Sequence, residues 1–350
     1  MSNNRNIIIV AIVFVAIIAV GYYLTQEKPT PEQPTPEPVN LKVFLAGSLT
    51  TPFEEIKASF EEDHPNVVVQ LEPAGSVQCV QKVTEVGDIA DIVASADYNL
   101  IPSMMIPEYA DWYIAFAKNE MTLAYTDASK YADEITADNW YEILSREGVK
   151  WGFSNPNLDP CGYRTPMVFQ LAEIYYDDDS IFETLIQDNT AITVSESGGI
   201  YTIDSNVEDL NPNTNKISIR DKSVELVSMV ESGGLDYAFE YSSVAKQNDL
   251  KYLDLPAQID LSDLMYADTY SLVKITLTSG TNTGAPIVYG ITIPTNAANP
   301  DVAAEFISYL LSDQGQQLFV DLGQPPISPA LVSDMDKVPE SLKEYLDEIG

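Results

Sequence analysis

The sequence predicts an α/β protein of two lobes with a ligand cleft between them, and three observations carry that expectation. Strand-like and helical runs alternate from Leu41 to about residue 345. Short loops rich in Gly, Ser and Asp stand where strands end and helices begin, the place where α/β proteins bind ligands. Consecutive extended runs near residues 118 and 287 read as the points where the chain crosses between lobes. A chain of 350 residues, 45% apolar, is long enough to bury a sizeable core in roughly two domains.

Ile7 to Leu24 is an apolar run of 18 residues, with Arg5 before it and Glu27 and Lys28 after it. As a helix it would span about 27 Å, close to the hydrocarbon thickness of a bilayer. It ends in Gly21-Tyr22-Tyr23-Leu24, without a clear small-x-small cleavage site or a Cys for lipid attachment. Residues 1–28 are therefore expected to be an uncleaved membrane anchor rather than a removed signal, with everything after Lys28 on the extracellular side. Pro29 to Pro38 holds five prolines, and 29–40 reads as an extended spacer.

Lys42 to Ala46 is a short strand followed by Gly47-Ser48, and then a helix marked by Thr51, Pro52 and Glu54 with Phe53, Ile56 and Phe60 on one face. The grammar repeats: Val67 to Leu71 is strand-like, Ala74-Gly75-Ser76 is loop, and Val77, Val80 and Val83 recur at helical spacing. One Ala-Gly-Ser turn is unremarkable. Two in the same strand-to-helix context form a set of donors suited to an anion. Ile89 to Ala94 is a third buried strand, and Trp112 to Ala117 and Met121 to Tyr125 are the first crossing.

Asn139 to Leu144 reads as helix, Val149 to Phe153 as strand, and Met167 to Tyr176 as helix. Between the last two lies Ser154 to Arg164, stiffened by Pro156 and Pro160, with Asp159 biased to extended backbone by the proline that follows. Ile181 to Asn215 weakens into polar loop with scattered β runs. Lys216 to Arg220, Ser223 and a helix over Val224 to Val230 form the next unit, and Asp236 to Tyr241 is a strand. Ile287 to Pro294 crosses back, and helices over Val302–Leu311 and Gln314–Leu322 close the chain. The expected lobes are 41–117 with 286–345, and 118–285. Four loop starts, Ser48, Ser76, Asp159 to Cys161 and Ser223, would meet in the cleft around one small ligand.

Composition narrows the ligand and the chemistry. Acidic residues outnumber basic ones 53 to 18, a net charge of −35, so no basic footprint exists for nucleic acid. The single His64 leaves zinc sites and Ser/His/Asp catalysis hard to build. Cys161 at a helix start is the one candidate nucleophile, and it lacks a base. A disulfide between Cys79 and Cys161 stays open at this stage, with two free thiols the favoured reading. A chain of this charge must hold an anion with locally oriented dipoles, since its long-range field is repulsive.

The stretches Val43 to Thr50, Glu72 to Ser76, Asp91 to Tyr98, Asn139 to Leu144, Gly152 to Arg164 and Val288 to Pro294 resemble the archaeal tungstate/molybdate-binding proteins of ABC importers, relatives of the bacterial molybdate-binding proteins. The resemblance covers 41 to about 330. It implies a two-lobed, type II periplasmic-binding-protein fold, no enzyme activity and no cofactor. It also implies a monomer that takes a tungstate or molybdate oxyanion to an ABC permease and ATPase complex. Carried over by position, Gly47, Ser48, Ser76, Asp159, Cys161, Ser223 and Tyr241 would hold the oxyanion.

In that family two carboxylates also reach the metal and raise its coordination from four to six. Asp159 matches the first. The second falls at Ser223 by its spacing from Tyr241, with Glu225 two residues on: either Ser223 gives its N–H and hydroxyl at the helix start, or a small backbone shift brings Glu225 to the metal, and the helix turn favours the first because a residue two positions further points about 200° away. A carboxylate facing only oxyanion oxygens would be repelled, so Asp159 makes sense if it bonds the metal, which would discriminate against sulfur and phosphorus centres.

Overall fold

The computed structural model describes residues 38–349. Within them the chain forms three sheets. A seven-stranded mixed sheet runs in the order Leu346–Glu348, Pro326–Val332, Ile114–Lys118, Val288–Thr292, Ile92–Ser95, Val39–Ala46 and Val67–Ala74. Val39–Ala46 is parallel to both of its neighbours, and Val288–Thr292 is antiparallel to both of its own. Val43, Leu45, Ile92 and Ala94 are fully buried, as strands covered on both faces require.

A second sheet takes Lys251–Leu253, Met121–Tyr125, Tyr237–Tyr241, Trp151–Ser154 and Ile217–Arg220. Its parallel strands Trp151–Ser154, Ile217–Arg220 and Tyr237–Tyr241 deliver the Asp159, Ser223 and Tyr241 segments to one end. Only Asn119 and Glu120 separate the last residue of Ile114–Lys118 from the first of Met121–Tyr125 in the other sheet.

The core between the five-stranded sheet and the Pro160–Tyr176 helix is aromatic. Trp140, Trp151, Phe169 and Phe239 pack with ring centroids 5.0 to 6.0 Å apart. Offset and edge contacts of this kind add roughly 0.5–1.5 kcal/mol per pair to the burial itself. The Pro160–Tyr176 helix contributes Phe169 to this cluster and is buried from Pro160 to Glu173 without a break, so that it has no solvent face at its start. It begins seven residues before the periodic run at Met167, because Gly162 and Pro166 hide the helical signature of its first turns. Asp159 is extended at φ −140° and ψ 133°, the conformation that a following proline favours, and Pro160 fills the first helical position.

Residues 181–215, read from sequence as polar loop, hold a short helix at Ile181–Leu185 and the strands Thr193–Ser197 and Ile200–Asp204. These strands join Val273–Leu277 and Gly280–Thr283 in a third, four-stranded sheet. That sheet braces the Asp159 loop: Asn157 Nδ2 donates to the Ser205 carbonyl at 2.9 Å, and Asn157 Oδ1 accepts from the Thr278 amide at 2.9 Å. The Ile7–Leu24 run and most of the spacer lie outside the described residues. Among the described residues no helix is long and apolar enough to cross a membrane.

Candidate functional site

The loop starts singled out from sequence converge at one buried place. Ser48 and Ser76 follow strands of the seven-stranded sheet, while Asp159, Cys161, Ser223 and Tyr241 sit at strand ends of the five-stranded sheet. Exposure is 4% for Ser48 and Asp159, 3% for Ser223, 1% for Tyr241 and nil for Ser76 and Cys161, so whatever they hold is shielded from water. Two glycines allow the approach. A Cβ on Gly75 would lie 2.2 Å from the Leu158 carbonyl oxygen, and one on Gly47 would lie 3.0 Å from Val224 Cγ2.

Each hydroxyl is held by a fixed donor. Ser76 Oγ accepts the Ala96 amide at 2.9 Å, Ser48 Oγ accepts the Tyr289 hydroxyl at 3.0 Å, and the Tyr241 hydroxyl accepts Arg164 Nη1 at 2.6 Å. Burial pushes the Tyr241 phenol well above its ordinary range, although the Arg164 charge opposes the rise, so the hydroxyl keeps its proton. Arg164 also donates to the Ala96 carbonyl at 2.8 Å and lies 3.9 Å from Asp97 Oδ2, which accepts the Tyr163 hydroxyl. Burial would lower the guanidinium's pKa, but Tyr241, Tyr163 and Asp97 outweigh it and keep the group charged.

Acids stand beside these hydroxyls. Asp159 Oδ2 accepts the Ser223 amide at 2.9 Å, so the Ser223 N–H is engaged within the protein. Burial raises Asp159 to about 6 against the pull of its hydrogen bonds and of Arg164. Glu240, fully buried on the strand that ends in Tyr241, is raised to about 8 by burial and then by the Asp159 charge. Its Oε2 accepts the Tyr241 amide at 3.1 Å, and the Ser223 side chain lies near enough to oppose the rise. Glu225 is half-buried in the first turn of the Val224–Glu231 helix, with no side-chain hydrogen bond or ion pair to this cluster.

The surroundings of Cys161 oppose formation of a thiolate. Burial, then the Glu240 and Asp159 carboxylates, drive its thiol well above the ordinary range, and its Sγ sits 3.7 Å from the Phe239 carbonyl. Cys79 is likewise free and buried, raised by burial to about 12. His64 stacks on Phe60 with its Nδ1 2.9 Å from the Phe60 carbonyl, a local packing role. Among the described residues no group of three or more His, Cys, Asp or Glu is placed to hold a metal ion.

Sequence reasoning missed Arg164, Asp97, Tyr289 and Glu240. Arg164 stood in the quoted loop without a role, and Glu240 stood in the strand before Tyr241. A charged residue inside an otherwise apolar strand is the signal that singles out Glu240.

The model for bacterial extracellular solute-binding proteins matches residues 41–323. The chain belongs to this extracellular solute-binding protein family. An uncharacterized solute-binding protein of Methanoculleus marisnigri is 55% identical over 313 residues, 88% of this chain and 87% of the relative. The molybdate/tungstate-binding protein WtpA of Pyrococcus abyssi is 45% identical over 316 residues, 88% of this chain and 90% of the relative. The solved periplasmic molybdate-binding protein of Azotobacter vinelandii shares the fold at a TM-score of 0.56 and 16% identity, covering 81% of this chain and 98% of that one. This solute-binding protein is thus of the α/β periplasmic-binding-protein fold with mixed sheets, in a family of transport receptors rather than enzymes. No resident cofactor goes with that role.

Proposed function

We propose that this solute-binding protein captures tungstate or molybdate outside the cell and delivers it to the permease and ATPase of an ABC importer. The observation that carries the reading is Asp159, a carboxylate 4% exposed that lies against Gly75, accepts the Ser223 amide and is near enough to the Tyr241 phenol to raise it. Hydroxyl donors suit the oxygens of a tetraoxo dianion. A carboxylate beside those oxygens would be repelled, but a carboxylate oxygen bonded to the metal turns the same charge into a contact that a tungsten or molybdenum centre accepts. The 45% identity to WtpA supports this choice of ligand.

In this reading Gly47, Ser48, Ser76, Cys161, Ser223 and Tyr241 surround the oxyanion, Asp159 meets the metal, and Glu225 stays outside. Residues 41–117 with 286–345 and residues 118–285 act as the two lobes, and the chain works as a monomer. The apolar run Ile7–Leu24 tethers it to the membrane. Calorimetric titration of the full chain tests the ligand: tight binding of tungstate or molybdate with little sulfate or phosphate binding is expected, and tight sulfate or phosphate binding without tungstate heat contradicts it.

A further inference from the structure

The hydroxyls in the cleft are not free to choose between donating and accepting, and the reason lies one layer behind them. Asn119 Oδ1 accepts the Glu120 amide at 3.0 Å, which fixes the orientation of the Asn119 side-chain amide. Its Nδ2 therefore donates, to the Tyr289 hydroxyl at 2.7 Å and to Ser243 Oγ at 2.7 Å. Gln324 Nε2 also approaches the Tyr289 hydroxyl, at 3.4 Å. With its acceptor side filled, Tyr289 turns its own proton to Ser48 Oγ, 3.0 Å away. Ser48, having accepted, has its proton left over for the cleft.

The Tyr241 hydroxyl is set in the same way. Arg164 has only donors, so its 2.6 Å contact with the Tyr241 oxygen occupies that oxygen's lone pair and leaves the phenol proton to point elsewhere. Ser76 accepts the Ala96 amide and completes the set. Arg164 does a second thing: it reaches from the Pro160–Tyr176 helix, which packs on the five-stranded sheet, to the Ala96 carbonyl, which follows a strand of the seven-stranded sheet. Tyr163 makes a parallel connection to Asp97. The alignment of Tyr241 is thereby tied to contact between the two sheet systems.

We propose that Tyr289 and Arg164 are positioning residues for anion capture, forcing Ser48 and Tyr241 to present their protons to the ligand, with Arg164 making that alignment depend on the cleft being shut. The proposal rests on the oxyanion reading above and extends it to residues behind the hydroxyls. Its consequence is directional: Tyr289 acts through the Ser48 hydroxyl, and Arg164 acts mainly through the Tyr241 hydroxyl, with its bond to the Ala96 carbonyl as the smaller remainder.

Double-mutant cycles on the full chain, titrated with sodium tungstate, test this. Tyr289→Phe keeps the ring and removes the proton donor, and is expected to weaken tungstate about tenfold with Ser48 intact but less than about twofold in a Ser48→Ala background. Arg164→Lys is expected to weaken tungstate about tenfold with Tyr241 intact, mainly by faster dissociation in stopped-flow fluorescence, and far less in Tyr241→Phe. Losses of equal size in both backgrounds overturn the proposal, since a merely structural role acts regardless of the hydroxyl. If Arg164→Lys fails to fold, the Tyr289 and Ser48 cycle decides alone. Absence of tungstate binding by the unaltered chain overturns the oxyanion reading itself, whereas binding with additive losses overturns only the positioning roles.

Discussion

Two sets of groups in the site solve opposite problems. Ser48, Ser76 and Tyr241 are neutral hydroxyls, each satisfied by a fixed donor, and they add polarity without adding charge. Asp159 and Glu240 are acids held out of water, each raised by burial. The hydroxyls cost the fold little. The acids are destabilising by themselves, and a protein keeps such a group where it serves a ligand. In the proposed reading the hydroxyls would hold any tetraoxo anion, and Asp159 would choose among them.

The largest expected effect breaks the comparison on the side of stability. The folded state holds the Glu240 proton up to about pH 8, while the unfolded chain releases it near the ordinary 4.5. Between those values the folded state binds more protons, so stability falls as pH rises and levels off above 8. A shift of this size corresponds to roughly 5 kcal/mol. Glu240→Gln should therefore unfold at higher urea than the unaltered chain at pH 9 and at a similar urea concentration at pH 5. Urea midpoints at the two pH values check this.

Next comes the discriminating acid. Asp159→Ala should weaken tungstate on the order of a hundredfold, as loss of a charged contact does. Its melting temperature should stay within a few degrees, because the buried acid, raised to about 6, does not stabilise the fold at neutral pH. Calorimetry beside a thermal melt separates the two effects. Smaller still, Tyr241→Phe should cost about tenfold in tungstate affinity by removing one aligned donor. Smallest, Glu225→Gln should change affinity less than about twofold, since the half-buried Glu225 makes no contact with the cluster and lies outside the site. A large loss there would move the discriminating acid to the helix start.

What was legible in the sequence follows from how local each signal is. Gly47-Ser48 and Gly75-Ser76 were readable because turn chemistry between a strand and a helix is local, and Asp159 because Pro160 constrains the residue before it. Arg164 with Ala96 was not, since 68 residues separate them and the contact joins different sheets. The influence of the Asp159 charge on Glu240 was hidden because the two lie far apart in the sequence. The third sheet was missed because Thr193–Ser197 is mostly exposed and carries no apolar alternation. The strand Pro326–Val332 escaped because its two prolines read as loop.

The most direct measurement of the central claim is tungsten-edge X-ray absorption of the tungstate-loaded full chain beside its Asp159→Ala variant. If Asp159 meets the metal, the unaltered chain shows more oxygen neighbours around tungsten than free tetraoxo tungstate has, and the variant loses that addition. An identical four-oxygen shell in both proteins would contradict it.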